Sequence, residues 1–276
     1  MLLCAFNAMC WSLPLRFKNF AASEKVLGIG STFSGGVFLA LAFGHMIPEA
    51  VESFAGGGSG MAAAAATKMA CAFTLAGYLL IWAVDRAASG ATSELTATAA
   101  GASSSSAEAA APPARGGSAT VLLGALSLHS ILETMALAVA RSKPAAGLLA
   151  ISIAVHQPAE SVAILVALLR AGFSGRRLWR FLLTFTAMGP LGAVLGLGLH
   201  RWFAGSAAAG ALDGALVALT AGTFVYVGAT EVLPEEFDEE NIKIAPRAKI
   251  VAFFTGIVAI FGLAHVAELI EAAAGA

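Results

Sequence analysis

Residues 122–170 read LLGALSLHSILETMALAVARSKPAAGLLAISIAVHQPAESVAILVALLR. Two apolar runs, each able to span a bilayer, follow one another in this stretch. Each carries a histidine with a glutamate four residues on: His129 and Glu133 in the first, His156 and Glu160 in the second. At about 3.6 residues per turn, positions i and i+4 lie one above the other, so each run aims an imidazole and a carboxylate the same way. Two such faces turned toward each other supply two nitrogens and two carboxylates, enough to ligate a divalent metal. A charged side chain at the middle of a spanning helix costs roughly 2.5 to 3.5 kcal/mol, which marks these positions as functional. The competing reading is that the His and Glu groups satisfy one another as buried interhelical glue.

Composition agrees with a membrane setting. Of 276 residues, 58% are hydrophobic and 12% charged, with mean hydropathy +0.83; soluble domains carry about 25% charged residues. The net charge of −1 offers no basic patch for nucleic acid. Cys4, Cys10 and Cys71 form neither a CxxC pair nor a disulfide framework and read as free thiols. Apolar runs of spanning length place helices at roughly 1–15, 27–50, 64–85, 119–140, 144–171, 178–202, 211–234 and 249–272. The first is short or truncated. The expectation is therefore an all-α integral membrane protein with eight helices in one membrane domain. Residues 1–86 would hold helices one to three and residues 119–276 helices four to eight. Between them, residues 87–118 are rich in Ala, Ser and Gly, with a serine run from Ser103 to Ser106 and Pro112-Pro113, and read as a disordered cytoplasmic loop.

Basic residues orient the chain. Twelve of the 16 Lys and Arg residues fall in the connections after helices one, three, five and seven. By the positive-inside rule those connections are cytosolic, and both termini are extracellular or lumenal. A plasma membrane is the expected location, with an organelle membrane as the alternative. In the sixth helix Gly192 and Gly196 form a GxxxG step suited to close helix packing. Pro158 lies between His156 and Glu160 and is expected to kink the fifth helix.

Three of five histidines have a glutamate at +4, although glutamate fills only 14 of 276 positions. The third pair, His45 and Glu49, closes the second helix on the outer face, as an entrance site or an interfacial cap. Glu231 in the seventh helix either lines the path or pairs within the bundle. His265 has Glu268 at +3 in the eighth helix, and His200 reads as interfacial. The acidic run Glu235, Glu236, Asp238, Glu239, Glu240 reads as a solvated loop in preference to an exit funnel. Enzymatic chemistry finds no foothold. Ser130 and Gln157 follow the two site histidines, so HExxH is absent, and so are GxSxG, the Walker lysine loop and the dinucleotide fingerprint.

With these residues in view, the chain resembles the ZIP (Zrt/Irt-like) family of divalent metal transporters over nearly its whole length. The stretch from Ser34 through His45-Met-Ile-Pro-Glu49 is similar to that family's second helix. His129-Ser130-x-x-Glu133 and His156-Gln157-x-x-Glu160 resemble its fourth and fifth, and Ala221-Gly-Thr-Phe-Val-Tyr-Val with Glu231 and Pro234-Glu-Glu-Phe resembles its seventh. The resemblance implies a ZIP-type eight-helix bundle, extracellular termini and a homodimer. It makes His129, Glu133, His156 and Glu160 the main metal ligands, with Ser130 and Gln157 as weaker or second-site contributors. The chain departs from the family pattern where Thr134 and Ser161 stand after the two signature glutamates, and the long loop lacks a histidine cluster.

The function expected is transport of zinc, or of iron, manganese or cadmium, into the cytosol, with the ion as cargo and no prosthetic group. Mixed His/Glu ligation without thiolate suits borderline metals and speaks against Cu(I). Uptake is expected to weaken as external pH falls through the histidine range, because the ligands must be deprotonated. A non-transporting membrane metal sensor with a structural ion is the alternative, and an intramembrane hydrolase a third reading.

Overall fold

The computed structural model describes residues 2–17, 23–56, 61–100, 116–140, 143–203, 209–238 and 244–274. All regular structure among them is helical. The helices are α1 (Leu2–Leu15), α2 (Glu24–Gly56), α3 (Ala63–Ala100), α4 (Gly116–Val139), α5 (Lys143–Arg170), α6 (Gly175–Phe203), α7 (209–237) and α8 (Pro246–Ala274). All but α1 are long and apolar enough to cross a bilayer, which matches the eight segments expected from hydropathy. The third helix continues to Ala100 and the fourth begins at Gly116, so the chain is helical at both ends of the connection expected over 87–118. Residues 101–115 of that loop lie outside the described residues.

The second helix differs from expectation in an informative way. It does not end near residue 50 but runs through Pro48 to Gly56, with one wide π turn at Ala42–Met46. Pro48 has no N–H to give, and its ring crowds the carbonyl one turn back. The chain answers with a longer bond, the Ile47 N–H donating to the Ala42 carbonyl five residues earlier. In α7 the same device precedes Pro234: Val227–Val232 form a π turn, closed by the Leu233 N–H on the Gly228 carbonyl. Each π turn adds about one residue to a helical turn and so re-aims every side chain beyond it. His45 and Glu231 both sit inside these turns.

The helices pair in a definite pattern. The most extensive packing is of α4 on α6, α2 on α8 and α3 on α7, while α1 lies on α5 and α6. One half of the bundle is thus α1, α4, α5 and α6, the other α2, α3, α7 and α8, joined where α2 meets α5 and α4 meets α7. Burial divides the helices a second way. The apolar windows of α2, α4, α5 and α7 are 56–67% buried, those of α3, α6 and α8 only 22%, so the former four make the centre. On the outer helices Leu75, Trp82, Val194, Phe254 and Val258 are exposed. In a bilayer this is the favourable arrangement, since lipid tails are as apolar as the side chains they meet. Short α1 is fastened by polar bonds: Trp11 Nε1 donates to Thr186 Oγ1 of α6 at 3.0 Å, and that hydroxyl lies 2.7 Å from Asn7 Oδ1.

Close approach of α4 and α6 depends on the GxxxG step. A Cβ at Gly192 would strike the Ile131 carbonyl and the Thr134 hydroxyl, and one at Gly196 would come within 2.8 Å of Met135 backbone. Gly192→Ala is therefore expected to destabilise the folded protein by about 1–3 kcal/mol, the usual effect of overpacking. A thermal melt in detergent checks this; an unchanged melting temperature would show the contact to be loose.

Candidate metal site

The half of the bundle that contains α4 and α5 holds the chemistry, on the side that meets α7. His129 and Glu133 from α4 meet His156 and Glu160 from α5, each pair one turn apart on its own helix. All four are at most 2% exposed. Their nearest donor atoms cross-connect: His129 Nε2 lies 3.1 Å from Glu160 Oε1 and 3.9 Å from Glu133 Oε1, while His156 Nε2 lies 2.5 Å from Glu133 Oε1 and 3.5 Å from Glu160 Oε1. Every ligand atom is within 4.8 Å of the others, and this is the one such His/Glu group among the described residues. A tetrahedral ion about 2.0–2.1 Å from each donor keeps the donors about 3.3 Å apart. The observed separations lie on both sides of that value, so side-chain shifts of about an ångström would bring the four donors to the spacing of a Zn²⁺-sized ion.

Two of these atoms have no hydrogen-bond partner although fully buried: His129 Nε2 and Glu160 Oε1, which face each other. A dry, unmatched donor atom is costly, and a cation between the two satisfies both. Two further atoms of the site are met from outside the cage, while His156 Nδ1 is buried without a hydrogen-bond partner. Gln157 Nε2 donates to Glu160 Oε2 at 2.9 Å, and His129 Nδ1 is 2.6 Å from Thr223 Oγ1 of α7. Phe224 stacks on His129 with centroids 3.7 Å apart and lies nearly perpendicular to His156 at 5.2 Å. Behind it Phe38 of α2 stacks at 5.0 Å, so aromatic rings close the cage against water.

The other residues singled out in the sequence fall in different places. Ser130 is buried against α6, its Oγ 4.0 Å from where a Cβ on Gly189 would stand. Gln157 acts on Glu160 through its amide. His45 and Glu49 pair with each other at 3.6 Å, their side chains 40% and 31% exposed, within a continuous helix and not at its end. Glu231 Oε1 is 3.1 Å from the Tyr226 hydroxyl, which also reaches Asp85 Oδ2 of α3 at 2.9 Å. His265 is exposed on α8.

One sequence reading needs correction. Glu236 is not solvated: it is 1% exposed and paired with Arg170 and with Lys249, whose Nζ is 3.2 Å from Oε2. The rest of the acidic run beyond Asp238 lies outside the described residues. Sequence reasoning missed Thr223, Phe224 and Asp85 as neighbours of the polar groups. Thr223 and Phe224 were visible only as a polar and an aromatic position in an apolar run, which says nothing of what they touch.

Comparison with known proteins bears on the chain as a whole. The profile of a family described as ZIP Zinc transporter matches residues 1–117 and 92–264. Human zinc transporter ZIP3 is 26% identical over 275 residues, covering 87% of this chain and 86% of that protein. Human zinc transporter ZIP1 is 24% identical, covering 95% of this chain and 88% of its own length. Zinc transporter 11 of Arabidopsis thaliana is 27% identical, covering 86% and 76%.

Proposed function

This chain belongs to the ZIP zinc transporter family, and from that premise we propose that it carries Zn²⁺ across the bilayer into the cytosol, with Fe²⁺, Mn²⁺ and Cd²⁺ as competing cargo. The observation that carries the reading is the convergence of four buried donors, from α4 and α5, within 4.8 Å of one another. Two neutral imidazoles and two carboxylates replace part of the ion's water shell, and the two carboxylates offset its double charge in a medium of low dielectric. With hard oxygen and borderline nitrogen donors and no thiolate, the set favours a borderline dication that can leave again. Gln157 and Thr223 hold two of the donors, while Phe224 and Phe38 keep water from competing. Gln157, bonded to Glu160, and Ser130, next in sequence to His129, are the weaker contributors that the family resemblance implies. His45 and Glu49, half-exposed on α2, serve as an entrance, and Glu231 lies along the path.

The orientation of the chain is supported by charge, and the direction of transport by the family resemblance. The connections that hold twelve of the 16 basic residues face the cytosol under the positive-inside rule, which leaves the termini outside. We assign the protein to the plasma membrane and to a homodimer, the latter supported by the family resemblance.

Purified protein in sealed vesicles tests the proposal. Radiolabelled Zn²⁺ is expected to accumulate, to saturate and to be displaced by unlabelled Fe²⁺, Mn²⁺ or Cd²⁺. Tight Zn²⁺ binding with no flux into the lumen would instead make the four residues a structural site in a membrane metal sensor.

A further inference from the structure

We propose that Thr223 is a positioning residue that fixes the tautomer of His129, so that Nε2 alone is offered to the cation. The geometry around Thr223 is over-determined. Its hydroxyl has one proton and touches two partners, the Thr220 carbonyl at 2.7 Å and His129 Nδ1 at 2.6 Å. A carbonyl can only accept, so the contact to Thr220 consumes the proton. The contact to His129 must then run the other way, with Nδ1–H donating to the Thr223 oxygen. The reverse assignment would set the hydroxyl oxygen and the Thr220 carbonyl against each other at 2.7 Å with no hydrogen between them. It would also place the ring hydrogen on Nε2, aimed at Glu160 Oε1, where a cation has to sit.

Thr220, Thr223 and His129 are all fully buried, so no water can exchange into this chain of bonds and reset it. The consequence is visible at the far side of the ring. Nε2 is without a hydrogen-bond partner and stands 3.1 Å from Glu160 Oε1, itself without one. A second clamp on the ring comes from the next residue: Phe224 stacks on the imidazole with an interplanar angle of 23°, so position 223 sets the proton and position 224 sets the plane. Both come from α7, although His129 and its partners in the cage come from α4 and α5. Metal-ligating histidines commonly rely on such a partner at the other ring nitrogen, and its loss lowers metal affinity by about 10- to 100-fold.

This inference rests on the metal-site reading above, and its test separates the two. Co²⁺ binding to the full-length protein in detergent is followed by its visible absorption, for wild type, Thr223→Val, Thr223→Ser and Glu133→Ala. Valine keeps the shape and removes the acceptor, so Co²⁺ affinity should fall by about 10- to 100-fold, with a changed absorption envelope. Serine keeps the hydroxyl and should restore both. Wild-type affinity in Thr223→Val would overturn the role of Thr223 and leave the cage standing. Equal Co²⁺ binding by wild type and Glu133→Ala would overturn the cage itself, and this inference with it. Nitrogen NMR of histidine-labelled wild type, loaded with Zn²⁺, reads the tautomer without any variant. A hydrogen on Nδ1 of His129 is expected, and metal on Nδ1 would refute the proposal.

Discussion

Glu160→Ala and Glu133→Ala should each bring vesicle uptake of Zn²⁺ down to background, with the protein still inserted and folded. Each carboxylate oxygen reaches both imidazoles: Glu160 Oε1 is 3.1 and 3.5 Å from the two Nε2 atoms, Glu133 Oε1 3.9 and 2.5 Å. Removing either one therefore opens one side of the cage and leaves a dication with a single buried counter-charge. An uncompensated charge in a dry interior costs at least about 3 kcal/mol, and each 1.4 kcal/mol is about tenfold in occupancy, so a loss of about 100-fold or more is expected. Glu160→Gln separates charge from shape. It retains the volume and an acceptor for the Gln157 amide, which donates to Oε2 in the native site, yet should be as inactive as the alanine variant. Uptake in Glu160→Gln near the wild-type rate would show that the carboxylate is not holding the ion by its charge.

The spacing of His and Glu at i and i+4 contained most of this site, because a helix converts that spacing into a shared face and because lipid leaves polar groups no outlet except one another. The eight helices were legible for the same reason. What could not be read is everything that depends on one helix meeting another. Thr223 and Phe224 look like two more positions in an apolar stretch, and only the crossing of α4 and α7 makes them the support of His129. The π turns of α2 and α7 were hidden behind prolines that more often end helices. The motifs His45-Met-Ile-Pro-Glu49 and Glu231-Val-Leu-Pro-Glu235 do carry the signal, since proline with two residues between it and a polar group recurs in both. Yet whether a chain breaks or widens at proline is decided by the packing around it. Charge runs misled most. Glu236 looks solvated beside four other acidic residues, but Arg170 and Lys249 reach it from helices 66 and 13 residues away in the chain.

Glu236→Ala is accordingly expected to lower the stability of the fold by about 3–5 kcal/mol, the range for breaking a buried ion pair. The Glu236 carboxylate has no exposed surface, and it binds Arg170 at the end of α5 through both Nη atoms, the Nη2 bond to Oε2 being 3.3 Å. Lys249 of α8, its side chain 3% exposed, lies 3.2 Å from the same Oε2 and also donates to the Glu236 carbonyl. One carboxylate thus ties the ends of α5, α7 and α8. The fourth wall is Gly28 of α2, where a Cβ would come within 3.1 Å of Arg170 Nη2 and 3.3 Å of Glu236 Oε2, and would also collide with the Ile244 side chain. The helix packs directly on the ion pair and keeps water off it, which is what makes deletion of one partner expensive. Most of that cost disappears when all three charges go together. Glu236→Leu with Arg170→Leu and Lys249→Met removes the desolvation penalty along with the attraction, and should melt much closer to wild type than Glu236→Ala. Thermal melts in detergent of the single and the triple variant decide the matter. A single variant as stable as wild type would mean that water reaches this corner and screens it, and a triple variant as unstable as the single would mean that packing around Glu236, not charge, holds the three helices.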